Sequence, residues 1–223
     1  MNSSTSKEAV INSKVIKIYN ERAKRYDVST LILYNLLGMR VNRHRKLAVK
    51  KLNLKKGDTV VEIGCGTGGN FLYLEEQVSG NGKIIGVDLT PAMLVEAESR
   101  VKENGWKNVE LLQSGGESFE FPKNVDAIIS TFALTMIPEY DRVICDGADA
   151  LKQGGKWVVM DFRAPQNWLK RFVPLLVTLV KPYGGTIEMA DRHPWESMGK
   201  YMSNVVVKGF WFGMAYIAEA TKR

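Results

Sequence analysis

Short apolar stretches alternate with helix-like stretches between residues 58 and 162, and this alternation constrains the fold more than any other feature. Each apolar stretch is nearly continuous, which is typical of strands buried on both faces of a parallel sheet. The pattern predicts an α/β fold with a doubly wound, mostly parallel sheet and an antiparallel C-terminal strand. The predicted strands are 59–63, 83–88, 108–113, 125–130 and 156–162, and the predicted helices are 70–78, 91–104 and 139–151.

The chain of 223 residues fits one domain of this kind. A turn is predicted at Gly154 and Gly155, just before the last core strand. We divide the domain into a basic helical N-terminal segment (1–56), a cofactor-binding core (57–162), a lid or substrate segment (163–203) and a C-terminal hairpin (204–223).

The loop after the first predicted strand contains Gly64, Gly66 and Gly68 and leads into a helix. Glycine allows a tight turn and a close approach of a ligand to the backbone, and the helix start offers free amides. Gly64, Gly66 and Gly69 fit the dinucleotide pattern, and Gly64, Gly66 and Gly68 fit a second glycine pattern equally well, so the glycines alone do not choose between a dinucleotide and S-adenosylmethionine. Glu62, at the end of the strand, suits the ammonium of a methionine moiety rather than a pyrophosphate, whereas Asp88 suits the ribose of either cofactor.

Two later stretches, 125–130 and 151–157, resemble the fourth-strand and fifth-strand signatures of class I methyltransferases. The resemblance implies a Rossmann-like fold with a helical N-terminal extension and lid. It also implies S-adenosylmethionine as cofactor and S-adenosylhomocysteine as product. By this resemblance Glu62, Gly64, Cys65, Gly66 and Gly68 surround the methionine part, Asp88 holds the ribose, Leu89 and Met93 flank the adenine, and Thr131 and Phe132 face the sulfonium.

The stretch after the third strand departs from this family. Many members have Gly-Asp-Ala there, and the Asp contacts the adenine amine. Here Gly115 stands at the Asp position. We expect backbone groups of Gly116 or the side chain of Glu117 to substitute for that contact.

Two further resemblances concern the methyl acceptor. The Arg25-Tyr26-Asp27 sequence resembles the N-terminal signature of ubiquinone and menaquinone C-methyltransferases, in which the Tyr lies over the cofactor. The run 130–138 is similar to bacterial enzymes that N-methylate the head groups of phosphatidylethanolamine or betaine lipids, and 192–195 fits them too.

These resemblances predict N-methylation of a phospholipid amine, and the alternative is C-methylation of a quinone precursor or methylation of another small molecule. Remote alternatives are an NAD-binding oxidoreductase and a non-catalytic nucleotide- or membrane-binding module.

An amine acceptor must be neutral when it attacks, so a side chain near it has to take a proton. The candidates for this catalytic role are Tyr26, Tyr183, Asp191 and His193. Because His193 precedes Pro194, it can equally be a packed loop residue.

The net charge of +7 suits an acidic partner such as an anionic membrane surface. The basic stretch 40–56 is one candidate contact, and the apolar stretch 168–180, with interleaved cations, predicts either an interfacial helix or a lid. No base-flipping motif indicates a nucleic-acid substrate. Cysteine and histidine spacing indicates no metal site, and no apolar run is long enough to span a bilayer. We therefore expect a cytoplasmic enzyme, with peripheral membrane binding as a further expectation.

Overall fold

The computed structural model describes residues 12–13, 16–21, 23, 26–27, 29–30, 34, 38–165, 171, 189 and 191–223. The described residues between 12 and 34 are helical. The remaining helices are α1 (Val41–Lys51), α2 (Phe71–Val78), α3 (Pro91–Asn104), α4 (Tyr140–Ala150) and α5 (Pro194–Tyr201). The strands are β1 (Thr59–Ile63), β2 (Lys83–Asp88), β3 (Val109–Gln113), β4 (Val125–Thr131), β5 (Leu151–Phe162), β6 (Ser203–Phe210) and β7 (Ala215–Thr221).

The sheet has seven strands in the order β3-β2-β1-β4-β5-β7-β6. Strands β1 to β5 pair in parallel, and β7 runs antiparallel to both β5 and β6. The predicted fold class, including the C-terminal hairpin, is therefore confirmed. The chain reverses its direction of winding between β1 and β4, the position at which ligands bind in open α/β sheets.

Side chains of β1 alternate between the two faces of the sheet, as the pleat requires. Val61 and Ile63 enter one buried apolar cluster, whereas Val60 enters the cluster on the opposite face. Both clusters are covered by helices, which explains why the core strands read as continuous apolar runs.

Strand β5 begins earlier than predicted. Helix α4 ends at Ala150, and Leu151 then pairs directly with Val125 of β4. A register shift follows before Lys156 pairs with Ala127, and Gly154 at φ 76° lies within this irregularity. The turn predicted at Gly154 and Gly155 is thus wrong, because these glycines form an irregular part of a strand.

The described end of the predicted lid, 191–203, packs against the domain instead. Asp141 of α4 accepts hydrogen bonds from Ser197, Lys200 and Tyr201 of α5. Trp195 packs edge-to-face on Tyr216 at 4.6 Å between ring centroids. The helix that starts at Pro194 therefore buries an apolar face against the sheet, and a lid role for this segment stays a prediction.

The stretch 168–180 lies outside the described residues except for Arg171, and so does Tyr183. Within the described part of the chain, no helix is both long and apolar enough to cross a membrane.

Candidate functional site

A cavity of about 400 Å³ lies at the carboxyl ends of β1, β2 and β4. Its walls come from the described N-terminal residues, α1, the glycine-rich loop and the segment after β4. The sequence-predicted site residues that line it are Tyr26, Gly64, Cys65, Gly66, Asp88, Leu89, Met93, Gly116, Glu117, Thr131 and Phe132.

The glycine-rich loop is shaped by backbone conformation and close packing. Gly64, Gly66 and Gly68 all have positive φ, the region that favours glycine. A Cβ added at Gly64 would lie 2.2 Å from the Cβ of Ala133, so the segment after β4 packs directly onto this glycine. Gly68 instead packs on the ring of Phe71 and is not among the described residues that line the cavity.

Asp88, at the end of β2, is held by backbone amides. Its two oxygens accept hydrogen bonds from the amides of Gly66 and Thr90, both at 2.8 Å. Burial raises the pKa of this carboxyl, and the two amides act in the opposite direction. The carboxyl is therefore fixed in position and keeps lone pairs for hydroxyl groups in the cavity.

Glu62 is the penultimate residue of β1, is completely buried, and is not among the described residues that line the cavity. Its Oε1 accepts a hydrogen bond of 2.6 Å from Asn70, but its Oε2 has no partner among the described residues. Burial raises the pKa of Glu62 to about 8, although nearby Arg45 lowers it. An unpartnered carboxyl in a low-dielectric position is unfavourable unless a cation or donor joins it. This position therefore fits the ammonium group of a methionine moiety.

Arg45 of α1 reaches the same region. Its Nη1 donates to Asn70 at 3.1 Å and to the hydroxyl of Thr131 at 2.7 Å. The guanidinium also lies over the Phe132 ring, 5.5 Å from the ring centroid. The sequence prediction missed Arg45 and Asn70 as site residues, because their roles depend on contacts between distant parts of the chain.

The opposite side of the cavity contains Gly116 and Glu117. The Glu117 carboxylate accepts a hydrogen bond of 2.7 Å from Asn12, and it lies against Gly115. Gly116 packs on Ile137 and lines the cavity. Both groups expected to contact adenine are thus beside the cavity, and their contact with adenine stays a prediction.

Tyr26 and Tyr19 pack together beside the cavity, with ring centroids 5.5 Å apart. Burial raises the pKa of Tyr26 well above its usual value, so its hydroxyl stays protonated near neutral pH. The residue lies where the cofactor-lid prediction requires it, but its hydroxyl is a poor proton acceptor.

Asp27 fastens this N-terminal segment to the glycine-rich loop. It accepts a hydrogen bond of 2.6 Å from Thr67 and pairs with Arg100 of α3. Arg100 also donates to the carbonyl of Gly68 at 3.3 Å. Thr67 and Arg100 were not predicted as site residues, although Thr67 lies within the recognised glycine motif.

Aromatic rings form another wall. Phe132 lies 4.7 Å from Phe162 and 6.0 Å from Tyr34 between ring centroids. Phe132 has φ 57°, a strained conformation for a residue other than glycine. A hydrogen bond of 2.7 Å from its amide to the carbonyl of Met160 holds it there.

The next turn is fixed by buried polar contacts. Asp161 accepts hydrogen bonds from the amides of Thr135 at 3.0 Å and Phe162 at 2.8 Å. Burial raises the pKa of Asp161 to about 6. Arg192 donates to the carbonyl of Thr135 at 2.5 Å. These contacts set the position of the segment that carries Phe132.

Two further candidates for proton transfer, Asp191 and His193, are described outside the cavity lining. His193 lies 3.3 Å from Glu196 and packs on Trp195 at 4.7 Å, as in the packed-loop interpretation. Asp191 is exposed, and neither residue is among the described residues that line the cavity. A catalytic role for Asp191 or His193 stays a prediction, as does one for Tyr183, which lies outside the described residues.

The basic stretch 40–56 does not form one uniform cationic surface. Arg45 points to the cavity, Lys46 pairs with Glu76, and Lys51 pairs with Glu219. Binding of this stretch to an anionic membrane stays a prediction.

Comparisons with known proteins agree with this geometry. The sequence matches the profile of the ubiE/COQ5 methyltransferase family over residues 7–192. A demethylmenaquinone methyltransferase of Tropheryma whipplei (strain Twist) is 30% identical over 185 residues, which are 82% of this chain and 74% of that protein.

Two solved structures share the fold. An S-adenosylmethionine-dependent methyltransferase from Aquifex aeolicus aligns with a TM-score of 0.61 at 21% identity, over 80% of this chain and 89% of that one. The geranyl diphosphate C-methyltransferase of Streptomyces coelicolor A3(2), solved with S-adenosyl-L-homocysteine, aligns with a TM-score of 0.63 at 13% identity. That alignment covers 81% of this chain and 76% of the other.

Proposed function

Because the chain belongs to the ubiE/COQ5 methyltransferase family and is an S-adenosylmethionine-dependent methyltransferase, we propose that it C-methylates an electron-rich aromatic ring of the quinol class. This is the alternative acceptor of the sequence analysis rather than the lipid head group. The match to demethylmenaquinone methyltransferases supports it.

The donor is proposed to lie along the glycine-rich loop. Glu62 and its unpartnered oxygen would receive the ammonium, and Asp88 would receive the ribose hydroxyls. When bound, S-adenosylmethionine supplies an electrophilic methyl group: a carbon–methyl bond forms as the sulfur–methyl bond breaks, and the ring then loses a proton. The protein's own contribution is mainly to position the reactants.

The hydrogen bonds made by the carboxylates around the cavity support a ring carbon, rather than an amine, as the methyl acceptor. The lining carboxylates are each engaged: Asp27 by Thr67 and Arg100, Asp88 by backbone amides, and Glu117 by Asn12. A protonated amine would therefore have to give its proton to a carboxylate that already accepts hydrogen bonds within the protein. A ring carbon releases its proton only after methyl transfer, from a cationic and strongly acidic ring, so water suffices as acceptor.

The aromatic wall supports the same acceptor. Tyr34 and Phe132 line the cavity with rings on which a planar substrate would pack in offset or tilted contact, and Phe162 packs against both rings. An apolar side chain on the substrate would be compatible with this wall, whereas a small zwitterionic head group would leave most of it without contact.

The test is methyl transfer from radiolabelled S-adenosylmethionine to three acceptors presented separately: a reduced 2-alkyl-1,4-naphthoquinone, its oxidised form, and vesicles containing phosphatidylethanolamine. We expect label in the reduced naphthoquinone and none above background in the other two. The oxidised form is the matched control, because its ring is electron-poor. Label in phosphatidylethanolamine without label in the quinol would overturn the proposal in favour of head-group N-methylation.

A further inference from the structure

Arg45 occupies an unusual position for a residue of a basic surface helix. Its guanidinium lines the cavity and makes its two hydrogen bonds, to Asn70 and Thr131, through Nη1 alone. Among the described residues, Nη2 and Nε have no hydrogen-bond partner. A guanidinium in this state retains a pair of donors suited to a carboxylate.

Asn70 stands between this cation and the buried carboxyl of Glu62. Its Oδ1 accepts from Arg45, while its Nδ2 donates to Glu62 at 2.6 Å and to Thr131 at 2.9 Å. Arg45 and Glu62 form no direct ion pair in the described structure. The amide therefore holds two opposite charges near each other and leaves each with unused hydrogen-bonding capacity.

We propose that Arg45 binds the carboxylate of the amino-acid end of S-adenosylmethionine, while Glu62 binds its ammonium. We call Arg45, Asn70 and Glu62 the charge clamp. A zwitterionic α-amino acid carries one group of each sign, and the charge clamp offers the complementary sign for each. The guanidinium packs beside Gly69, where a Cβ would make ordinary van der Waals contact with its Cζ at 3.5 Å. This inference rests on the proposed placement of the donor and not on the identity of the acceptor.

The test uses three ligands measured by calorimetry. S-adenosylhomocysteine carries both charged groups, its decarboxylated analogue keeps only the amine, and methylthioadenosine lacks both. For Arg45→Met we expect affinity for S-adenosylhomocysteine to fall about 10- to 100-fold, the effect of a lost charged hydrogen bond. Affinities for the other two ligands should stay unchanged.

Glu62→Gln should behave differently, by weakening both amine-containing ligands and sparing methylthioadenosine. Arg43→Met is the matched control, because Arg43 is exposed on the same helix. It should bind all three ligands as the wild type does.

Equal weakening of all three ligands by Arg45→Met would overturn the inference, because it would indicate general disruption of the cavity. Unchanged affinity for S-adenosylhomocysteine would overturn it as well. If methylthioadenosine failed to bind the wild type, the donor placement itself would be wrong. A failed acceptor assay would bear only on the quinol proposal.

Discussion

The two ends of the cavity are assembled in different ways. The donor end consists of the glycine-rich loop and the end of β2 at Asp88, and the buried Glu62 of β1 lies next to it, so consecutive strand, loop and helix residues build most of this end. The acceptor end brings Tyr34 from the N-terminal segment next to Phe132 after β4 and Phe162 of β5. Local sequence therefore specifies the donor end, whereas the acceptor end depends on tertiary packing. Substitutions at the donor end should change the affinity for the donor, and substitutions at the acceptor end should change the KM for the acceptor.

The largest effect is expected for Gly64→Ala at the donor end. The new Cβ would meet Ala133 at 2.2 Å, and φ at this position is 70°. Backbone strain of about 1–2 kcal/mol and overpacking of about 1–3 kcal/mol should add, so calorimetry should detect almost no S-adenosylhomocysteine binding.

Gly66→Ala is the matched control for that substitution. Gly66 has φ 55°, but the space around its Cβ position is open. Alanine there should therefore weaken binding through backbone strain alone. If both variants lost the same affinity for S-adenosylhomocysteine, packing between the loop and the segment after β4 would not shape the donor end.

Asp88→Ala should have the next largest effect. It removes the acceptor for the amides of Gly66 and Thr90 and the proposed ribose contact. We expect S-adenosylhomocysteine binding to weaken by about 1–3 kcal/mol in calorimetry. Asp146→Ala, on the exposed side of α4, serves as control. Wild-type affinity in Asp88→Ala would remove this residue from the donor end.

Phe132→Leu tests the acceptor end. Loss of its ring contacts with Tyr34 and Phe162 should raise the KM for the quinol by the equivalent of about 0.5–1.5 kcal/mol. The Kd for S-adenosylhomocysteine should change little. Phe212→Leu is the control, since Phe212 is 73% exposed and is not among the described lining residues. A change confined to donor affinity would contradict the division of the cavity.

Asp27→Ala should have a smaller effect, because its ion pair with Arg100 is partly exposed. Such pairs contribute about 0.2–1 kcal/mol, so donor affinity should fall only a few-fold. Affinity should fall because the N-terminal segment would be held less firmly against the loop. Stopped-flow measurement should therefore show faster S-adenosylhomocysteine dissociation. Glu98→Ala, which breaks an exposed pair with Lys102, provides the control. Unchanged dissociation in Asp27→Ala would argue that this fastening does not retain the donor.

The sequence predicted the donor end because strand periodicity, turn glycines and terminal carboxylates are local signals. Glu62, Gly64 and Asp88 could be proposed on that basis, and the mostly parallel sheet followed from the alternating pattern. Arg45 and Asn70 could not be assigned, because their contacts join residues far apart in the sequence. The stretch 40–56 was read as a surface for the same reason.

Two structural features that the sequence did not indicate have related causes. His193 follows the core in the chain, and chain order gave no indication that α5 would pack against α4. The glycine pair at 154 and 155 signalled a turn, but pairing of Leu151 with Val125 extended the strand past it. In both places the observed structure depends on tertiary contacts rather than on local propensity.

The protonation state of Glu62 should make both stability and donor affinity depend on pH. Its pKa is raised from 4.5 to about 8 by burial, so the folded free protein favours the neutral carboxyl. The stability that this group contributes is fully present below pH 4.5 and is lost as pH rises through about 8. Binding of an ammonium requires the ionised form, so donor affinity should increase over the same range as long as the ligand amine stays protonated.

The most direct test of the donor placement is the number of protons released when S-adenosylhomocysteine binds near neutral pH. It is measured by calorimetry in buffers of different ionisation enthalpy, for the wild type and for Glu62→Gln. Because Glu62 is mostly protonated in the free protein at that pH, ligand binding should release its proton. The account predicts a larger proton release for the wild type than for Glu62→Gln, together with tighter binding. Equal proton release and equal affinity in the two proteins would contradict it.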